Sequence, residues 1–134
     1  MLVNAYLNFD GNCGEAFRVY ERVLGGKITF LQTFGDSPME SAPEQKNHVM
    51  HVRLEVDGQV LMGSDTPGEH FTRPQGFAMA LHPEEPARAR QIFDALAEGG
   101  TVSMPLQQTF WAPLFGMLVD RFGTPWMVNC DKAE

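Results

Sequence analysis

The sequence predicts an α+β fold made of two tandem βαβββ modules. Three observations predict it. Apolar patterning runs strand, helix, strand, strand, strand, and then does so again. Each helical stretch closes on a Gly-Gly pair, and the letters around the pairs match. Tyr20-Glu21-Arg22-Val23-Leu24-Gly25-Gly26-Lys27-Ile28 aligns with Phe93 to Val102 once Glu98 is skipped. Further on, Asp57-Gly58-Gln59-Val60-Leu61-Met62 falls on Phe122-Gly123-Thr124-Pro125-Trp126-Met127 in the same relative order. The expectation is a single domain, 1–134, with module one at about 1–73 and module two at about 74–134.

The elements follow in order. LVNAYLNF (2–9) is β-prone. Asn12 stands three residues before Glu15, the spacing of a capping box, and Ala16, Phe17, Tyr20, Val23 and Leu24 then recur at helical spacing. Gly25 suits a left-handed helix end. KITFLQTF (27–34) returns to strand, and GDSPMESAPEQK (35–46) is a loop by its Pro, Ser and Gly content. HVMHVRLEV (48–56) alternates: Met50, Val52, Leu54 and Val56 point one way, His51, Arg53 and Glu55 the other. Asp57-Gly58 is a tight hairpin signal leading into QVLMGSD (59–65). A second loop, 66–75, precedes a strand at 76–82. Pro83 and Pro86 open the second helix, whose apolar stripe is Ala89, Ile92, Phe93, Leu96 and Ala97. Stretches 101–112, 114–122 and 124–130 read as three further strands.

Composition removes several functions. Ten Lys and Arg against 17 Asp and Glu give a net charge of −7 and a pI near 5.0, with no basic run. A nucleic-acid binder needs a cationic face, so no nucleic acid is expected as partner. The same sign disfavours anionic membrane surfaces, and no apolar run approaches the ~20 residues of a membrane span. The first residues lack a basic segment followed by a long apolar one, so no signal peptide is expected. Cys13 and Cys130 are the two cysteines, too few for a disulfide framework. The expected setting is a reduced cytoplasm, with both thiols buried.

The stretches YLNFDGNCGEAFRVYERVLGG, VMHVRLEVDGQVLMGSD and QTFWAPLFGMLVDRFGTPWMVN resemble the vicinal oxygen chelate superfamily. That superfamily includes glyoxalase I, bleomycin-resistance proteins and extradiol dioxygenases. The chain is similar to its PhnB-like branch, some of whose members carry the label 3-demethylubiquinone 3-methyltransferase-like. The resemblance implies a curved mixed sheet around a cleft, helices outside, and a homodimer. Metal-dependent members place ligands on the first and last strands of each module. Carried over, those positions fall at Asn4, Met62, Phe77 and Met127, none of which is a His or a carboxylate. Zinc and harder ions need N, thiolate or O ligands, so no metal and no cofactor are expected. A second cation site could be sought among His48, His51, Asp65 and His70. His48 and His51 face opposite sides of a strand, which leaves His51 with Glu55 as a same-face pair.

The same residues invite other chemistry. No strand is followed by a Gly-rich GxGxG loop opening a helix, so methyl transfer is not expected despite the branch label. Cys13 sits in a first helical turn, where the dipole could lower a thiol pKa; the outer-layer position favours an inert thiol instead. His51 is the best candidate for a general base, set against a plain cross-strand ion-pair surface with Arg53 and Glu55. His82, just before the second helix, reads as a surface residue. Met62, Met79 and Met127 are expected on the cleft floor and Trp111 at its mouth, whereas Trp126 packs under a helix. The expected binding residues are Asn4, Tyr6, His51, Met62, Phe77, Met79, Trp111 and Met127, for a small, partly apolar ligand. The alternatives are a metal-dependent lyase, isomerase or dioxygenase, or a drug-sequestering resistance protein. A cationic drug wants an acidic cleft, and Glu55 and Asp65 are the only carboxylates expected there.

Overall fold

Strand alternation and two Gly-Gly helix stops produce two four-stranded sheets, each backed by one helix. A computed structural model describes residues 1–134 and divides into two compact units, Met1–Arg73 and Pro74–Glu134. The first unit runs β1 (Ala5–Phe9), α1 (Cys13–Leu24), β2 (Lys27–Thr33), β3 (Val49–Val56) and β4 (Gln59–Asp65). Its sheet order is β1-β4-β3-β2, with β1 parallel to β4 and the other pairs antiparallel. The second runs β5 (Met79–Leu81), α2 (Pro86–Ala97), β6 (Thr101–Gln107), β7 (Leu114–Val119) and β8 (Pro125–Cys130). Its order, β5-β8-β7-β6, repeats the first, again with one parallel pair at the first strand.

Each helix covers one face of its own sheet. Ala16, Phe17, Val19, Tyr20 and Val23 of α1 are buried with Leu7, Phe9, Val52, Leu54 and Leu61. Ala89, Ile92, Phe93 and Leu96 of α2 are buried with Leu114, Leu118, Trp126 and Val128. Full burial of such a side chain is worth about 1.5–3 kcal/mol, so these two stripes fix which face of each sheet is inner. The two glycines of each pair do different jobs. Gly25 and Gly99 take left-handed backbone, φ 73° and 74°. Gly26 and Gly100 pass so close to the carbonyls of Glu55 and Val119 that a Cβ would collide with them.

Several boundaries differ from the sequence reading. The first strand starts at Ala5 rather than residue 2. The strand expected at 76–82 keeps three residues, Met79–Leu81, and Gly76, three residues before it, sits at φ 81° outside strand geometry. The stretch at 101–112 stops pairing at Gln107, where Thr109 and Ala112 close a turn on each other. The capping box does not form, since the Asn12 side chain makes no cap bond. The Asp65 carboxylate, at the end of β4, takes its place. One oxygen accepts from the N–H groups of Gly11 (2.9 Å) and Cys13 (3.0 Å), the other from Val49 (2.8 Å). Trp126 does pack on the helix side and donates its Nε1–H to Asp120 at 2.8 Å.

Candidate functional site

The helix-free faces are where the molecule leaves side chains uncovered. In module one, register places Phe30 opposite Arg53, Arg53 opposite Met62, and Met62 beside Tyr6. Those four residues form one row across all four strands. Val52 and Leu54 are buried under α1, so alternation turns Arg53 and its same-face neighbours His51 and Glu55 outward. His51 lies one step along β3, opposite Gln32. Its ring sits 5.6 Å from Tyr6 (20° between planes) and 5.8 Å from Phe30 (48°). Tyr6 Oη and His51 Nδ1 are 3.0 Å apart, within hydrogen-bond distance. Tyr6 remains 44% exposed and Phe30 46%, so this aromatic pair is open to a ligand.

Polar groups border the row. The Arg53 guanidinium lies 3.7 Å from the Glu55 carboxylate, both about half exposed. Glu55 also stands opposite Lys27 on β2. On the other border, Asn8 Oδ1 accepts from the Thr66 hydroxyl at 3.3 Å. Asn4 precedes β1 and donates to the Val60 carbonyl at 3.3 Å.

The corresponding row in module two is Met104, Met117, Met127 and Ala80. Phe115, on the same side by alternation, meets Trp111 edge-on at 5.4 Å, and Trp111 meets Phe110 at 4.8 Å. Trp111 is half exposed, in the loop between β6 and β7. Met79 differs from the sequence expectation: it pairs with Trp126, on the helix side, while Ala80 stands beside Met127. Phe77 is exposed but precedes β5 and belongs to no row. Phe30, Met104, Met117 and Phe115 were missed. LFGMLV of β7 is apolar almost throughout, and β2 and β6 each carry irregular register, so only pairing partners reveal which side each takes.

The remaining candidates are spread out. Asp65 is buried and engaged with three backbone N–H groups, so it is unavailable to a ligand. His48 packs against Gly11, and the exposed His70 pairs with Glu69. Cys13 is fully buried; burial, then the nearby Asp65 charge, pushes its thiol well above the ordinary range. This agrees with the expected buried, inert thiol and leaves no dipole-activated cysteine there.

The fold is that of the vicinal oxygen chelate superfamily. It is shared with the fosfomycin resistance protein FosX from Mesorhizobium loti (TM-score 0.65, 10% identity, covering 96% of this chain and 90% of that one). It is shared too with a mutant FosX from Listeria monocytogenes, complexed with Mn(II) and 1S,2S-dihydroxypropylphosphonic acid (TM-score 0.66, 7% identity, covering 96% of this chain and 90% of that one). Within that class, the chain belongs to the 3-demethylubiquinone-9 3-methyltransferase (PhnB-like) family, which matches residues 2–129. Protein YjdN of Escherichia coli K12 is 31% identical over 144 residues, covering 100% of this chain and 98% of YjdN. Among solved structures, PA1353 from Pseudomonas aeruginosa gives a TM-score of 0.89 at 45% identity, covering 98% of each chain. The putative 3-demethylubiquinone-9 3-methyltransferase PhnB protein from Bacillus cereus gives 0.85 at 23%, covering 97% of this chain and 99% of that one. None of these names assigns a reaction to this chain. No helix here is long and apolar enough to cross a membrane.

The Mn(II) complex of FosX prompts a test of fit. Met62 and Met127 occupy the last-strand positions; Tyr6 and Ala80 flank them by register, and Asn4 and Phe77 lie before the strands. Thioethers, a phenyl ring, a methyl group and neutral phenol or amide groups do not make a donor set for Mn(II) or Zn(II). No three His, Cys, Asp or Glu side chains gather where they could share an ion.

Proposed function

We propose that this PhnB-like chain binds a small, partly apolar molecule on the helix-free surface of its modules and does so without a metal centre. The observation that carries the reading is the row Phe30, Arg53, Met62 and Tyr6 with His51 above it. It joins ring and thioether surface to a few fixed polar groups, the usual make-up of a small-molecule site. Tyr6, His51 and Met62 supply that surface in module one, Met127 and Trp111 in module two. Asn4, Phe77 and Met79 take no part in it. The donor chemistry at the last strands supports the metal-free form. The working unit is a homodimer in the cytoplasm, a setting that suits two free, buried thiols.

Methyl transfer, named in the family's description, is not extended to this chain. Each sheet is mixed and four-stranded. Asp65 engages the N–H of Cys13, the first residue of the helix that follows β1, and that of Gly11 just before it. A phosphate-bearing or nucleoside cofactor at a strand-to-helix turn needs those groups free.

The test is a fragment titration of the 15N-labelled chain followed by NMR. Shift changes centred on Tyr6, His51 and Met62 are expected; changes confined to other surfaces would overturn the reading. Elemental analysis of protein purified without chelator should give under about 0.2 divalent ion per chain, where a bound centre approaches one. Light scattering should give twice the 15.0 kDa of the chain.

A further inference from the structure

We propose that the helix-free face of module one selects aromatic molecules that carry an anionic oxygen, held by the Nε2–H of His51 and the Arg53 guanidinium. This rests on the binding reading above and adds the ligand's charge and the atoms that read it.

The proton on His51 is set by its neighbour. The Tyr6 hydroxyl and His51 Nδ1 are 3.0 Å apart. A phenol O–H is a far stronger acid than a neutral imidazole N–H, so the phenol donates and Nδ1 accepts. The imidazole proton then sits on Nε2, where it can donate to a ligand oxygen. The ring is held in that pose between Tyr6 and Phe30.

Charge points to the same ligand. The chain carries −7 overall, yet the cross-strand rows of this face hold Lys27 and Arg53 against Glu55. Glu55 lies 3.7 Å from Arg53, and Lys27 stands opposite it on β2 by register. The other residues in these rows are uncharged, so two cations answer one carboxylate. An anionic oxygen completes that balance, and a guanidinium with an imidazole N–H suits it better than it suits a neutral carbonyl. Phe30, Tyr6 and Met62 supply the flat apolar surface for the ring. A ligand cation would be drawn to the rings but repelled by the surplus charge.

The test uses the intact chain and matched probes: benzoate, benzamide, benzamidine, and 4-nitrophenolate against 4-nitroanisole. Binding is read from amide shifts at Tyr6, His51 and Arg53. Benzoate or 4-nitrophenolate should bind about tenfold or more tightly than its neutral partner, and the stronger of the two names the oxygen preferred. Arg53→Gln and His51→Gln should each erase that preference. In Tyr6→Phe the rings remain, but the 15N signature of His51 should move from a single Nε2–H tautomer toward a mixture. Equal binding of benzoate, benzamide and benzamidine would overturn the charge inference and leave the site reading standing. Failure of every probe to perturb this face would overturn both. An unmoved His51 signature in Tyr6→Phe would overturn the role given to the phenol.

Discussion

The two modules share a topology but satisfy their buried polar groups at opposite ends of the sheet. Module one buries Asp65 at the end of β4, where it gathers the N–H groups of Gly11, Cys13 and Val49 and so starts both α1 and β3. Module two has Cys130 at the matching place, where its Sγ–H donates to the Glu84 carbonyl at 3.6 Å. There Pro86 opens the helix, with one fewer donor to satisfy. Module two's own buried carboxylate is Asp120, in the turn between β7 and β8, accepting from Phe122 N, Thr124 N and Trp126 Nε1. Module one makes that turn with two left-handed residues, Asp57 (φ 49°) and Gly58 (φ 77°). Repetition has kept the apolar stripes and moved the polar supports, so the supports are where the halves became different.

The strongest test of that contrast removes the two carboxylates. Asp65→Ala leaves buried N–H groups without an acceptor and should cost about 4 kcal/mol, since each such orphan costs ~1–3 kcal/mol. Asp120→Ala should cost about 3 kcal/mol, because water can reach part of its turn. Cys130→Ala, at the place matching Asp65, should cost about 1 kcal/mol. Urea denaturation ranks the three, and a Cys130 variant as damaging as the Asp65 variant would break the comparison.

A narrower test concerns the glycine under each helix. A Cβ at Gly63 on β4 would lie 2.6 Å from Phe17 Cε1 and 2.9 Å from the Leu7 carbonyl oxygen. One at Gly116 on β7 would lie 2.7 Å from Phe93 Cε2 and 2.9 Å from the Leu106 Cα. The slot for a helix ring is thus preserved on neighbouring strands. Gly63→Ala and Gly116→Ala should each lose about 2–3 kcal/mol, and similar losses would show that both rings need the slot.

These contrasts also show what the sequence could reveal. The Gly-Gly stops, the Asp57-Gly58 turn and the alternation of β3 are local, so they could be read from neighbouring letters. The two-module fold follows from them, while the family rests on the resemblance of three longer stretches. Asp65 could not be read, because its donors lie 52 to 54 residues away at Cys13 and Gly11, while Asn12 offered a nearer and misleading cap. The helix-free face of module one is half legible: the sequence points to Tyr6, Met62 and the adjoining His51, but not to Phe30. Met79 was assigned the side of Met127, although the pairing with Trp126 puts it opposite. A shift of one residue turns a strand over, and β5 has three paired residues to show its phase.

Cys13 supplies a smaller, pH-dependent test of the Asp65 support. Its thiol is raised from an ordinary 9.0, first by burial and then by the Asp65 charge. Above that pH the unfolded chain releases a proton that the folded chain keeps, so stability falls as pH rises. The difference between wild type and Cys13→Ala in urea should shrink by up to about 1.4 kcal/mol per unit above pH ~9. No shrinkage would mean that the thiol ionises normally and that the first turn of α1 is looser than the Asp65 bonds imply. For the same reason, native Cys13 should resist iodoacetamide until denaturant is added.

The smallest expected effects lie on the helix-free faces, and their smallness bears on function. If the helix-covered face stabilises each module by itself, the helix-free rows are free to differ: Phe30, Arg53, Met62 and Tyr6 in one, Met104, Met117, Met127 and Ala80 in the other. Arg53→Gln should then shift stability by less than about 0.5 kcal/mol, since its ion pair with Glu55 is half exposed. Met127→Leu, nearly equal in volume, should cost under about 1 kcal/mol. Thermal melts of both variants check this. A large loss for Arg53→Gln alone would make that row a structural brace. Small losses for both, alongside lost probe binding at Arg53, would place the chemistry on module one and leave module two's thioethers as adaptable apolar surface.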